Sequence, residues 1–169
     1  AQKGTRVFVD PIMGDNGKLY AGVPESTIGL MRSLVECADY AVPNYTEACL
    51  LTDTPIAEEI TADEARTLVD AMLALGTKSV VITSAKVDGA SAVIGYDHVA
   101  GEYFEIPFEL IPVYFPGTGD TFSAVLMGRV MNGWSLQRAT ADAMRVVAEL
   151  IERNADQEDK SAGLPIEAC

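Results

Sequence analysis

Gly117-Thr118-Gly119-Asp120 follows Pro116 and opens a stretch in which Phe122, Val125, Leu126 and Val130 recur at three- and four-residue steps. That spacing is the apolar stripe of a packed helix. The first N–H groups of such a helix have no partner inside it, and the helix dipole adds partial positive charge at the same end. Two glycines let an anion approach those N–H groups closely. Asp120 then sets a carboxylate beside the anion. A donor cradle next to a carboxylate suits a base that deprotonates a hydroxyl while negative charge develops on a phosphoryl group. The same four residues also describe a well-capped helix, with Thr118 as the cap. The turn alone does not choose between the two.

Further polar groups fall where predicted strands end. Arg6–Val9 reads as a short strand running into Asp10-Pro11, and Asp15 follows in a loop over Gly14–Gly22. Tyr40–Val42 reads as a buried strand stopped by Pro43, after which Asn44 and Glu47 open a short helix reaching Leu51. Ser79–Thr83 is a continuous apolar strand, as in a sheet covered on both faces, and ends in Thr83-Ser84. Open α/β sheets bind ligands outside the carboxyl ends of their strands. Each piece has a structural alternative. Asn44 and Glu47 match a capping pair, Asp10-Pro11 matches turn chemistry, and Thr83-Ser84 matches a strand turning into a loop. The Gly117–Asp120 turn is expected to join these three on the same edge, and four such groups there make independent structural causes a poorer explanation.

The remaining elements fill in an α/β pattern. Pro24-Glu25 opens a helix to about Ala38, with Ile28, Leu30, Met31, Leu34 and Val35 as its apolar side. Thr61 and Glu64 form a capping box for a helix running to Leu75 before Gly76. Residues 91–96 and 102–107 pair as a hairpin through Asp97–Gly101. The helix from Thr118 stops at Asn132-Gly133. Ser135 caps a last helix to about Arg153, with Leu136, Ala139, Ala143, Val146, Val147 and Leu150 facing inward. Alternation of this kind predicts a mainly parallel sheet flanked by helices. Residues 1–153 read as one nucleotide-binding and catalytic portion of a single domain, and residues 154–169 as a polar tail that frays.

Composition bounds the function classes. A chain of 169 residues is about one domain's worth. A net charge of −13 argues against nucleic acid or an anionic membrane as partner. It also repels polyphosphate, so a nucleotide enzyme of this composition needs divalent metal and helix N-termini as local compensation. Cys37, Cys49 and Cys169 form no CxxC pair and are odd in number, which argues against a disulfide framework or a zinc site. A cytoplasmic address is the corresponding expectation. His98 stands alone in a predicted turn and is assigned no role.

Asp10-Pro11-Ile12-Met13-Gly14-Asp15-Asn16-Gly17-Lys18-Leu19-Tyr20 resembles the signature loop of the pyridoxal kinases, the vitamin B6 branch of the ribokinase-like superfamily. Pro43-Asn44-Tyr45-Thr46-Glu47 is similar to that superfamily's Asn-x-x-Glu motif. Gly117–Ala124 is similar to its anion hole and catalytic aspartate. The motifs stand in family order and cover nearly the whole chain up to the tail. The resemblance implies an ATP-dependent kinase that phosphorylates the hydroxymethyl group of pyridoxal, pyridoxine or pyridoxamine. It implies Asp120 as the base and the N–H groups of Gly117, Thr118, Gly119 and Asp120 as the cradle for the transferring phosphoryl. Asn44 and Glu47 would position Mg²⁺, largely through water, with Asp10 and Asp15 ordering the metal and phosphate region. Thr83 and Ser84 would contact ATP phosphates, with Tyr20 near the nucleotide. A monovalent cation and a homodimeric assembly are further implications.

Val42 stands where many members of that family carry Thr, so one polar contact is expected to be missing. Ala1-Gln2-Lys3-Gly4 resembles the last turn of a helix, so the chain reads as the later part of a longer polypeptide lacking its N-terminal strands. The family's vitamin pocket draws on that earlier part, and the chain alone is therefore not required to be active. Two alternatives stand beside the B6 reading. One is a kinase for the hydroxymethylpyrimidine of thiamin synthesis. The other is an inactive nucleotide-binding fragment.

Overall fold

The computed structural model describes residues 4–157, 159–161 and 163–165. The expected helix end at Ala1–Lys3 lies outside these residues, as does Cys169. The chain divides into two compact units after Phe108.

The first unit is a five-stranded sheet with helices. Its strands are β1 (Phe8–Val9), β4 (Tyr40–Ala41), β5 (Ser79–Val87), β6 (Ala90–Asp97) and β7 (Glu102–Pro107), in that spatial order. A small two-stranded ribbon, β2 (Gly14–Asp15) and β3 (Lys18–Leu19), stands apart. The helices are α1 (Ser26–Glu36), α2 (Tyr45–Thr52) and α3 (Ala62–Ala74). β1, β4 and β5 run parallel, as α/β crossovers require, and β6 and β7 continue the sheet antiparallel. Val9, Ala41, Val80 and Ile82 of the sheet join Val35, Leu51, Leu68 and Met72 of the helices in one core.

Four local features differ from the sequence expectations. The segment read as a loop over Gly14–Gly22 contains the β2–β3 hairpin. Asn16 (φ 52°) and Gly17 (φ 79°) both take positive φ, the type I′ requirement that Asn-Gly meets at least cost. The strand expected to end at Thr83 runs on to Val87. The register shifts between Ile82 and Ala85, and Ser84 takes φ 59°, so Thr83-Ser84 forms a bulge instead of a terminus. Leu30 and Leu34 of α1 are exposed, because the helix meets its core through Val35, Ile28 and Met31. Asp88 and Gly89, also at positive φ, turn β5 into β6 as a second tight hairpin.

The second unit carries α4 (Thr118–Met131) and α5 (Leu136–Arg153), which pack on each other. Ser135 caps α5, accepting the Arg138 N–H. Asp142 of α5 accepts from Arg129 of α4 at 2.7 Å and from Arg145 at 2.7 Å. Asn154 Nδ2 donates to Leu150 O at 2.8 Å, and Gln157 Nε2 donates to Asn154 Oδ1 at 2.7 Å, which prolongs the helix end as a turn. No helix among the described residues is long and apolar enough to cross a membrane.

Candidate active site

Asn44 and Glu47 do form the capping pair the spacing allows. Asn44 Oδ1 accepts the Glu47 N–H at 3.0 Å, and Glu47 Oε2 accepts the Asn44 N–H at 2.9 Å. The pair does more than start α2. Glu47 is 2% exposed, and its second oxygen, Oε1, accepts the N–H of Met13 at 2.7 Å and of Gly14 at 3.3 Å. Asn44 Nδ2 returns a bond to Gly14 O at 2.8 Å. The loop from Asp10 is thereby fastened to the first turn of α2 by three hydrogen bonds, two of them to one buried carboxylate. Burial pushes the Glu47 carboxyl above the usual carboxylate range, the N–H groups of Asn44, Met13 and Gly14 pull it back, and the nearby Asp10 charge pushes it up again.

The hairpin carries Asp15 and Asn16 outward. Asp15 Oδ1 accepts the Asn16 N–H at 2.7 Å, and Tyr20 N–H donates to Met13 O at 3.0 Å to close the loop. The Tyr20 side chain is exposed and Asp10 is half-buried. Thr83 joins the same neighbourhood: its N–H donates to Pro43 O at 3.0 Å, and it bridges Asn44 in parallel register. Asp10, Gly14, Asn44, Glu47 and Thr83 are thus brought to the carboxyl ends of β1, β4 and the parallel half of β5, with Ser84 exposed on the bulge. Val42, 5% exposed, sits in the core at the end of β4 and offers no hydroxyl there. Thr46 was not marked out by spacing, yet its hydroxyl accepts the Gly17 N–H at 3.0 Å. Asn16-Gly17, as a hairpin signal, is the clue that something must hold this tip.

The second unit holds Gly117–Asp120. Gly117 is the N-cap of α4 at φ 82°, so Thr118 is the first helical residue and not the cap. No side chain caps this end. Asp120 lies in the first turn, exposed, and Thr121 Oγ1 donates to Gly117 O at 3.0 Å. A helix start with positive-φ glycine and no capping side chain leaves its N–H groups facing outward beside a carboxylate.

Among the described residues, no cluster of three or more His, Cys, Asp or Glu forms a ready metal cage. The oxygen donors of Asp10, Asn44 and Glu47 fit a hard cation that keeps most of its waters, as Mg²⁺ does, and not one stripped of them.

A sequence model of the family described as phosphomethylpyrimidine kinase matches residues 1–164. The pyridoxal kinase of Arabidopsis thaliana is 36% identical over 158 residues, covering 87% of this chain and 48% of that protein. The pyridoxal kinase of Sus scrofa is 33% identical, over 70% of this chain and 40% of its own length. The chain spans about half the length of the curated relatives it matches. Its fold is similar to that of a Bacteroides thetaiotaomicron protein crystallised with pyridoxal, with TM-score 0.91 and 31% identity over 99% of this chain and 60% of that one. It is also similar to pyridoxal kinase from Lactobacillus plantarum, with TM-score 0.82 and 30% identity over 95% of this chain and 58% of that one.

Proposed function

The chain belongs to the phosphomethylpyrimidine kinase family, and from that premise we propose that it carries the nucleotide-handling and catalytic part of a B6-vitamer kinase. The reaction moves the γ-phosphoryl of ATP to the hydroxymethyl group of pyridoxal, pyridoxine or pyridoxamine. A P–O bond to the vitamin forms as the bond to the ADP leaving oxygen breaks. The hydroxyl proton goes to Asp120. The N–H groups of Gly117, Thr118, Gly119 and Asp120 stabilise the charge on the phosphoryl oxygens.

One observation supports this reading above the others. The Asp10–Tyr20 loop is bonded through Glu47 and Asn44 to the strand-end edge, so residues of the signature loop, the Asn-x-x-Glu motif and Thr83 meet on one edge of the sheet. Asp10, Asn44 and Glu47 would hold Mg²⁺, through water for the buried Glu47, and the ion would neutralise phosphate charge. Asp15, Thr83 and Ser84 would face the phosphates, with Tyr20 beside the nucleotide. Such a local arrangement answers the repulsion expected from a chain of net charge −13. The named relatives being pyridoxal kinases, and the bound pyridoxal of the Bacteroides protein, favour a B6 vitamer over hydroxymethylpyrimidine. A cytoplasmic setting, a monovalent cation and a homodimer belong to the same proposal.

The test is turnover of Mg-ATP with pyridoxal and with hydroxymethylpyrimidine by the complete enzyme, followed by ADP release. Phosphorylation of pyridoxal in preference to the pyrimidine is expected. Preference for the pyrimidine would transfer the assignment to the thiamin route, and nucleotide binding without turnover would favour a non-catalytic module.

A further inference from the structure

We propose that Thr46 is a positioning residue for nucleotide binding, acting through the tip of the β2–β3 hairpin; this rests on the kinase reading above. Asn44 and Glu47 grip the hairpin only at its base, at Met13 and Gly14. The whole ribbon is two residue pairs long, with only Asp15 and Lys18 paired beyond Gly14, too short to hold its own orientation. Among the described residues, Thr46 supplies a bond from α2 to the far side of the turn, Gly17 N–H to Thr46 Oγ1 at 3.0 Å, and is itself 4% exposed. The two grips are three residues apart on the loop and frame Asp15 and Asn16 between them. Asp15 Oδ1 and Oδ2 are in turn held by the N–H and Nδ2 of Asn16, at 2.7 and 3.1 Å. With the outer grip removed, the tip pivots about Gly14 and the Asp15 carboxylate leaves its fixed direction. The base, the capping box and the core are untouched. Thr46 lies between Asn44 and Glu47, and its hydroxyl ties the motif to the turn.

Thr46→Val keeps the branched shape and removes the acceptor, and Thr46→Ser keeps the acceptor. The experiment titrates the 169-residue chain and both variants with Mg-AMP-PNP and measures Gly17 amide exchange in each. The expected result for Thr46→Val is about tenfold faster Gly17 exchange, the loss of one hydrogen bond, with Mg-AMP-PNP affinity lower by about tenfold. Thr46→Ser should restore both within about twofold. Faster exchange with unchanged affinity would overturn the positioning role and leave the kinase reading intact. Unchanged exchange would overturn the tie itself. Failure of the unsubstituted chain to bind Mg-AMP-PNP would overturn the kinase reading and the Thr46 proposal with it.

Discussion

Glu47 Oε1 accepts the Met13 N–H at 2.7 Å across 34 residues of sequence, deep in the protein. This bond joins two motifs that are only neighbours in a list when read along the chain. It makes the helix cap and the loop anchor one structure, so a change at Glu47 is felt in both places.

Glu47→Gln should expose that coupling. The amide has one acceptor oxygen where the carboxylate has two, so its NH₂ must face either the Asn44 N–H or the Met13 and Gly14 pair. A buried donor left facing a donor costs about 1–3 kcal/mol. The denaturant midpoint should fall accordingly with an unchanged slope. A shift below about 0.5 kcal/mol, the scale of an ordinary surface substitution, would show that these bonds do not hold the loop.

Two glycines in the hairpin should respond differently to alanine, for separate reasons. A Cβ at Gly14 would lie 2.5 Å from Lys18 O and 3.1 Å from Leu19 Cα, and neither backbone group can yield. Overpacking of this kind costs about 1–3 kcal/mol and should open the ribbon. Gly17 has open space, with only Ile56 Cγ2 near at 3.9 Å, and its constraint is φ 79°. Left-handed backbone costs an L-residue about 1–2 kcal/mol, and the stiffer unfolded chain returns about 0.4–1 kcal/mol of that. Amide exchange across the Gly14–Leu19 ladder should therefore accelerate strongly in Gly14→Ala and mildly in Gly17→Ala. The reverse order would contradict this packing.

Stability should depend on pH with two opposite signs. The Lys78 ammonium, at 2.6 Å, holds the Asp39 carboxyl below the usual carboxylate range, helped by the Val7 N–H at 2.9 Å. A lowered folded value means that the stabilisation is complete above the unfolded value near 3.9 and is lost as pH falls through the folded one. Asp39→Asn should flatten that acid limb. Glu47 is raised, so its contribution is fully present below the unfolded Glu value and is lost as pH rises through the folded one. Glu47→Gln should flatten the limb just above the usual Glu range. Unfolding free energies followed across the acid range will separate the two; a variant that leaves its limb unchanged would contradict the partner assigned to that carboxyl.

Much of this was legible in the residues because it is set locally. The Asn44–Glu47 and Thr61–Glu64 boxes, the start of α5 at Ser135 and the β6–β7 hairpin all follow from short-range pairing. Asn16-Gly17 and Asp88-Gly89 carried a hairpin signal of equal strength, masked by the polar character of their surroundings. Other features had no local signal. Ser84 and Ile12 take φ 59° and 38°, which neither residue type favours and only surrounding structure can impose. Leu30 and Leu34 belong to a valid helical stripe, but which part of a stripe meets the core is decided by the neighbouring elements. The anchor bonds that Met13 and Gly14 donate to Glu47 span the chain, so spacing within the motif could not reveal them.

The central claim is that Asp120 is the base of a phosphoryl transfer and not merely an acidic first-turn residue. The most direct measurement is Asp120→Asn in the complete enzyme, reading turnover of Mg-ATP with pyridoxal and the affinity for Mg-AMP-PNP on the same preparation, beside unsubstituted protein. Loss of a general base lowers the rate by about 10²–10⁴-fold, and nucleotide affinity should stay within about twofold. Retained turnover, or turnover and affinity falling together, would contradict the assignment.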